Sequence, residues 1–511
     1  MWTVAVRDHG AGTFLVFKDE DGAVTRWTYA EFDAVVARTV AALRRRGVVP
    51  GDGIHLCLRN SPAFVALWLA AARMGAWIVP ADPSASGRDL NQQIGRTSPR
   101  IGFHSSARRE AYLVGAGAHG LSTVELTETT RDVTDSAIGL VSDESVTAER
   151  YTPGPGDRLA VMFTSGTTSQ PKGVVLTQAN YSRVATTMAD AAELRAGDRW
   201  LVTLPLFHGN AQYYCFAPAI AVGGGVGLTA TFSASGWVGD AIELGATHAS
   251  LFAAPMRMIL ARTPADQPPA QLRHVWFAQS LGAEHHAAFA RLAGCLPRQL
   301  YGMTETVPVV SYDRSTPPVS DLIGTPLDGR VARLVTPGTL NPVSPGETGM
   351  IAVAGSRGDT LFREYLDDPA TTERSFHTDK NGTDWLLTGD LAVETPHGWR
   401  FVGRADDVIK VAGENVSLTE VEATVAQAPG VLEAAVLARP DEIRDHVPVA
   451  YVVPRDPSNP PHPDELEEWA TRNLAKAARP HVWTVISELP RTSVGKIRRF
   501  KLTDTEGAVT R

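Results

Sequence analysis

The chain has 511 residues, 43% hydrophobic and 20% charged, enough apolar material for two or three ordinary domains and too much for a disordered chain. Its net charge of −8 argues against a dedicated nucleic-acid surface. Cys57, Cys215 and Cys295 lie far apart with no CxxC, so neither a zinc site nor a disulfide framework is expected.

In chain order, the first residues meet Arg7, Asp8 and His9 without an apolar stretch, and the longest apolar run, residues 63–72, is about half a bilayer span. A soluble, cytoplasmic protein without a membrane span is expected. Thr28-Tyr29-Ala30-Glu31 is a capping-box pattern. Phe32, Val35, Val36, Val40 and Leu43 follow at helical spacing, and Gly47 ends the helix. Residues 54–58 read as a buried strand, Pro62 opens a helix that ends near Gly75, and 77–79 read as a strand. Further strands are predicted at 200–204, 249–253 and 275–278 with helical stretches between them, an alternation that implies α/β layers with largely parallel sheets. Residues 107–155 are weakly patterned and read as a surface excursion. From 331 to 363, Gly, Pro and β-branched residues predict a compact β subdomain. After Gly403 a small mixed pattern follows: a helix at 418–428, strands at 432–438 and 447–453, and a helix at 463–478. A boundary is placed at 403–407, giving domains 1–403 and 404–511.

The most informative segment is Thr164-Ser165-Gly166-Thr167-Thr168-Ser169-Gln170-Pro171-Lys172-Gly173, with five hydroxyls, two glycines and a lysine after the apolar run 159–163. Hydroxyls and backbone N–H groups donate to phosphate oxygens, Gly admits a close approach, and Lys supplies a cation. The GxxxxGK[ST] spacing of a Walker A loop is absent. Only seven of the 48 basic residues are lysines, and Lys172, Lys410 and Lys496 all fall in distinctive segments.

The string at 164–173 resembles the phosphate loop of the adenylate-forming superfamily, which includes acyl- and aryl-CoA synthetases. Tyr301-Gly302-Met303-Thr304-Glu305, Thr388-Gly389-Asp390, the run Gly403-Arg404-Ala405-Asp406-Asp407-Val408-Ile409-Lys410 with Gly413-Glu414-Asn415-Val416, and Leu489-Pro490-Arg491-Thr492-Ser493-Val494-Gly495-Lys496 match further family signatures in order. The resemblance covers almost the whole chain. It implies an α/β fold: a large N-terminal domain of layered sheets plus a β subdomain, and a small mobile α+β C-terminal domain carrying the catalytic lysine. It implies a two-step reaction in which a carboxylate attacks ATP, giving an acyl-adenylate and pyrophosphate, and a thiol then displaces AMP.

Carried over residue by residue, the resemblance implies an ATP site from Thr164, Ser165, Gly166, Thr167, Thr168, Lys172, Gly282, Ala283, Glu284, Tyr301, Gly302, Met303, Thr304, Asp390, Arg404 and Lys496. Glu305 and Thr164 would hold Mg²⁺. Asp390 would accept from the ribose hydroxyls, and Asp406 would be the hinge. Lys496, His208 and Arg404 would be the catalytic groups, with Lys496 neutralising charge in the first step. Pro205-Leu206-Phe207-His208-Gly209-Asn210 resembles the segment beside the family's acyl pocket, so Phe207, His208, Asn210, Ser280, Leu281 and Met303 are expected to line it. Leu281 stands where the family usually has Gly, so its side chain is expected to shorten the pocket, favouring a short or compact acid, aromatic or up to medium chain. The adjacent His285 and His286 read as solvated.

The expected partners are a small-molecule acid and CoA, in a monomer or homodimer. A second reading changes the acceptor to a carrier protein in trans or an amine, and includes activation of a small oxyanion such as nitrite in secondary metabolism. A third, a nucleotide-binding scaffold without activity, is disfavoured because Thr168, Lys172, Glu305, Asp390, Arg404 and Lys496 are all present.

Overall fold

The computed structural model describes residues 1–135, 140, 151–164, 171–441, 443–491, 497 and 499–502. Among these residues the strands form four sheets. The largest has nine strands, in the order Thr325–Pro326, Ser311–Tyr312, Arg298–Tyr301, His274–Ala278, His248–Phe252, Arg199–Val202, Gly225–Thr229, Thr13–Lys18 and Val24–Thr28. From Arg298–Tyr301 to Thr13–Lys18 every neighbouring pair is parallel. Their carboxyl ends therefore open on one edge of the sheet, the place where loops of parallel α/β sheets gather a site.

A seven-stranded sheet runs Glu364–Tyr365, Lys172–Thr177, Arg158–Thr164, Trp77–Pro80, Gly53–Cys57, Ile101–Ser105 and Thr123–Leu126. One core cluster contains residues of both sheets together with the buried faces of helices Tyr29–Arg45, Pro62–Met74 and Gln178–Ala191. The first of these helices begins at the expected capping box: Thr28 N donates to Glu31 Oε2 at 2.7 Å and Glu31 N to Thr28 Oγ1 at 3.2 Å. The second ends at Gly75, whose φ of 74° suits a residue without Cβ.

A third sheet, built on Ala332–Val335, Thr348–Ala354, Phe376–Thr378, Asp384–Thr395 and Gly398–Arg404, is antiparallel; it takes in the β subdomain expected at 331–363 and runs on to Arg404. The fourth belongs to the last part of the chain: hairpin Val408–Val411/Glu414–Ser417, long hairpin Val431–Asp441/Asp445–Pro454 and strand Val482–Val485, with helices Leu418–Val425 and Pro463–Asn473 packed in its own core. The fold is thus the layered α/β arrangement expected, with a small α+β part at the end.

The reading of 107–155 needs correction. Helix Arg109–Gly117 and strand Thr123–Leu126, paired in parallel with Ile101–Ser105, extend the seven-stranded sheet. The strand is short and at the sheet's edge, so it carries few apolar residues for a periodicity to reveal. Among the described residues no helix is long and apolar enough to cross a membrane, and Cys57, Cys215 and Cys295 are unbridged.

Candidate active site

Three of the predicted segments, and one residue that was not predicted, Phe252, lie at strand ends on the carboxyl edge of the nine-stranded sheet. His208 and Asn210 follow Arg199–Val202, and Phe252 ends His248–Phe252. Ser280–Glu284 follow His274–Ala278, and Gly302–Glu305 follow Arg298–Tyr301. Two of these turns hold non-glycine residues in the left-handed region, Gln279 at φ 74° and Val307 at φ 64°. Such backbone costs on the order of 1–3 kcal/mol and clusters at functional loops. Gly302 has a steric reason for being Gly: a Cβ there would come within 2.8 Å of the Tyr214 hydroxyl and 3.1 Å of Val309 Cα.

Thr164 and Lys172, both within the segment resembling a phosphate loop, are register partners on antiparallel strands. Ser165, Gly166, Thr167, Thr168 and Lys496 lie outside the described residues. Arg96 Nη1 donates to Pro171 O at 2.7 Å and Nη2 to Leu366 O at 3.1 Å, tying Pro171 to the end of strand Glu364–Tyr365.

That strand supplies a residue the motifs do not name. The Lys172 ammonium lies 5.1 Å from the centroid of the Tyr365 ring, and the Tyr365 hydroxyl donates to Glu305 Oε1 at 3.0 Å. Glu305 is 5% exposed. Burial is the largest influence on its carboxyl group and raises it above the usual carboxylate range. Its own backbone N–H, the Tyr365 hydroxyl and the charges of Lys172 and Arg404 pull it partly back. The Tyr365 phenol is itself pushed up, first by burial and then by Glu305. Arg330, partly buried, donates to Thr306 O and Thr360 O at 2.7 Å each and so fixes the short turn Thr304–Thr306; desolvation lowers its guanidinium to about 10.

A second network lies beside the first. The Tyr301 hydroxyl donates to Asp390 Oδ2 at 2.7 Å, and Arg404 Nε stands 3.3 Å from Asp390 Oδ1. Asp390 and Arg404 are register partners on neighbouring strands, and Thr388 Oγ1 accepts from Asp390 N at 3.1 Å. Tyr301 lies 6.1 Å from Phe401, centroid to centroid. The structure thus brings Tyr301, Glu305, Lys172, Asp390 and Arg404 together from sequence separations of up to 232 residues.

The donor set fits a magnesium ion shared with phosphate oxygens. Glu305 is a buried carboxylate on which a neutral phenol is the only side-chain hydrogen-bond donor among the described residues, so its charge has room for a cation. Among the described residues no group of three His, Cys, Asp or Glu could hold a metal alone.

On the other flank, Asn210 N donates to His208 Nδ1 at 3.4 Å and the His208 ring meets Phe252 edge-on, with centroids 5.9 Å apart. Asn210–Phe216 is a π-helix, a form that gathers at functional sites. Asn210 Oδ1 is buried with no hydrogen-bond partner. The loop holding His208 is pinned by Asn60, another residue no motif indicates: its Nδ2 donates to Leu204 O and Thr229 O at 3.1 Å each, and its Oδ1 accepts from Leu206 N at 2.8 Å.

Two expectations fail. Leu281 is fully buried in the second core cluster with Trp237, Met256, Phe277 and Phe289, because the turn before helix Ala283–Ala293 directs it beneath the sheet and away from the carboxyl edge. His285 and His286 are not solvated. His286 is 5% exposed and its Nε2 lies 2.8 Å from Pro297 O, whereas His285 is half-buried with Arg455 Nη2 at 3.2 Å from its Nε2. The two rings point apart, as adjacent residues on a helix must, but each finds protein.

Residues 2–366 match the AMP-binding enzyme family, and residues 420–496 match the AMP-binding enzyme C-terminal domain. The chain belongs to the AMP-binding enzyme family. This AMP-binding enzyme is an adenylate-forming ligase that activates an acid. It is 29% identical to a crotonobetaine/carnitine–CoA ligase of Salmonella paratyphi A over 98% of both chains. It is also similar to the anthranilate CoA ligase AuaEII solved with anthranoyl-AMP (22% identity, TM-score 0.87, covering 98% of this chain and 96% of that one). O-succinylbenzoate CoA synthetase from Bacillus subtilis with AMP is likewise similar (25% identity, TM-score 0.83, covering 100% and 98%).

Proposed function

We propose that the chain converts a small carboxylic acid and ATP into an acyl-adenylate and pyrophosphate, then transfers the acyl group to the thiol of coenzyme A. The observation that carries this reading is the meeting of the Lys172–Tyr365–Glu305 and Tyr301–Asp390–Arg404 networks, drawn from three sheets, beside the end of strand Arg298–Tyr301. Joining a carboxylate to the α-phosphate brings two anions together, and the site answers with two cations on the nucleotide side. Lys172 would face the phosphates, and Arg404 the ribose or α-phosphate. Asp390, held by Tyr301 and Arg404, would accept from the ribose hydroxyls. Glu305 with Thr164 would hold Mg²⁺, which neutralises phosphate charge. Lys496 would arrive with a mobile 404–511 part turning at Asp406, so that it is present for the first step and withdrawn for the second. The names of the relatives, a carnitine-type CoA ligase and ligases of two aromatic acids, support coenzyme A as acceptor; a cytoplasmic location, where ATP and CoA are both found, goes with that reading.

For the acid, the edge-on His208 and Phe252 rings offer a wall for a compact or planar molecule. The unpartnered Asn210 oxygen offers an acceptor for a hydroxyl or amine substituent. Pyrophosphate exchange with benzoate, 2-aminobenzoate, hydroxybenzoates, butyrate and palmitate tests the first step, and detection of the CoA thioester by mass tests the second. Exchange strongest with a substituted aromatic acid is expected. Palmitate outrunning every short and aromatic acid would reject the substrate class, and exchange without any thioester would reject coenzyme A.

A further inference from the structure

Helix Gly87–Thr97 carries none of the residues that the motifs single out, yet its last turn reaches the nucleotide side of the site. The helix is a firm base. Ser86 and Asp89 form a capping box at its start, where Asp89 N donates to Ser86 Oγ at 3.1 Å. Leu90 and Ile94 are buried in one core cluster with Cys57, Ala81 and Tyr112.

Arg96, in the last turn, touches the chain neighbour of each of three site residues. Its Nη1 donates at 2.7 Å to Pro171 O, the carbonyl joined to Lys172 N. Its Nη2 donates at 3.1 Å to the carbonyl of Leu366, which follows Tyr365. Its guanidinium carbon lies 5.2 Å from the ring centroid of Phe163, which precedes Thr164.

These contacts sit where the sheet stops holding the two chains. Leu366 N still donates to Gly173 O at 2.7 Å. One residue further, Asp367 turns at φ 53° and Asp368 caps helix Pro369–Ser375, so the chain leaves the sheet. On the facing chain, Pro171 has no N–H with which to continue a ladder. The guanidinium takes over both carbonyls at this open end. Its donors lie in one rigid plane, which sets the direction and separation of the two acceptors, as a single ammonium does not. Lys172 and Tyr365 each adjoin one acceptor and inherit that spacing, and with it the 5.1 Å approach of the Lys172 ammonium to the Tyr365 ring.

We propose that Arg96 is a positioning residue of the nucleotide site, which holds Lys172 against Tyr365 and so aims the ammonium at the β- and γ-phosphates. The inference rests on the nucleotide reading above and adds the group, outside every motif, that sets the geometry of its phosphate side.

The test is calorimetric titration of the wild type, Arg96→Met and Arg96→Lys with MgATP and, separately, with AMP. Arg96→Met is expected to weaken ATP about tenfold, the scale of one hydrogen bond from a charged group, and to leave AMP within about twofold. AMP is held from the side of Asp390 and Arg404, which Arg96 does not touch, whereas a general loosening of the fold weakens both nucleotides alike. Arg96→Lys keeps the charge but loses the fork, so it should bind ATP more like Arg96→Met than like the wild type. ATP bound by Arg96→Met as tightly as by the wild type, ATP and AMP weakened together, or Arg96→Lys binding ATP like the wild type would each overturn the proposal. If Arg96→Met does not fold, the same comparison of ATP with AMP in Arg96→Lys decides. A wild type that binds neither nucleotide would instead overturn the nucleotide reading itself.

Discussion

The Tyr365 hydroxyl donates to Glu305 Oε1 at 3.0 Å while its ring lies beneath the Lys172 ammonium. One aromatic residue thus joins an anion to a cation without letting them pair. Burial raises the Glu305 carboxyl. For a group whose folded value is raised, the stabilising contribution is full below the unfolded value and is lost as pH rises through the folded one. Ionised Glu305 at neutral pH therefore works against the fold unless a cation arrives. Glu305→Gln is expected to raise the melting temperature of the ligand-free chain at pH 8, to change it little at pH 4, and to remove the extra stabilisation by Mg²⁺ and ATP. Calorimetry at the two pH values checks this. A melting temperature that falls at pH 8 would show that Glu305 is stabilised by its surroundings.

Tyr301→Phe removes the 2.7 Å donor from Asp390 and leaves the ring in place. Arg404 still faces the other carboxylate oxygen, but Asp390 loses the hydrogen bond that fixes Oδ2. A hydrogen bond to a charged group contributes about 1.5–3 kcal/mol. The KM for ATP is expected to rise about tenfold, with the KM for the acid unchanged. An equal rise in both would assign Tyr301 to general packing.

Asp406 lies in the single turn Ala405–Asp407 between strands Gly398–Arg404 and Val408–Val411, so any change in direction between the third and fourth sheets must pass through these dihedrals. Asp406→Pro fixes φ and also pushes Ala405 out of the helical region. Pyrophosphate exchange is expected to survive and transfer to coenzyme A to fall sharply, while Asp406→Ala keeps both. Equal loss in both half-reactions of Asp406→Pro would make the segment a plain connector.

The parts of the fold legible in the sequence are those where local chemistry and tertiary need agree. The Thr28/Glu31 box, the Pro62 start and the Gly75 stop are each fixed by neighbours within a few residues. Among the predicted site residues, Lys172, Tyr301 and Glu305, which the structure brings near one another, come from strings of unusual composition at 164–173 and 301–305. Tyr365, Arg96 and Asn60 were not legible, because each works through contacts made only once distant strands pair: Tyr365 meets Glu305 across 60 residues and Asn60 meets Leu204 across 144. Leu281 misled for the same reason. A leucine after a strand carries no sign of which side of the sheet it will enter, and here the core beneath the sheet takes it.

Asn60 yields the last prediction. It is 4% exposed and its carboxamide makes three bonds to main-chain groups, at Leu204, Thr229 and Leu206, so it fastens the ends of two strands and the loop that leads to His208. Asn60→Ala leaves two carbonyls and one N–H without that partner in a buried place, at about 1–3 kcal/mol for each unsatisfied group that water does not reach. Part of this appears as lost stability. The rest appears at the site, because the loop that presents His208 and Asn210 loses its fixed distance from the strand ends. The KM for the acid is expected to rise about tenfold or more while the KM for ATP holds, since the nucleotide networks rest on strands that Asn60 does not touch. Asn60→Asp, which keeps the acceptor for Leu206 N and replaces the donor to Leu204 and Thr229 by a second acceptor, should be at least as impaired as Asn60→Ala. Measuring both KM values below the melting transition separates the two effects. A variant that melts lower but binds the acid as the wild type does would reduce Asn60 to a stabiliser of the strand ends.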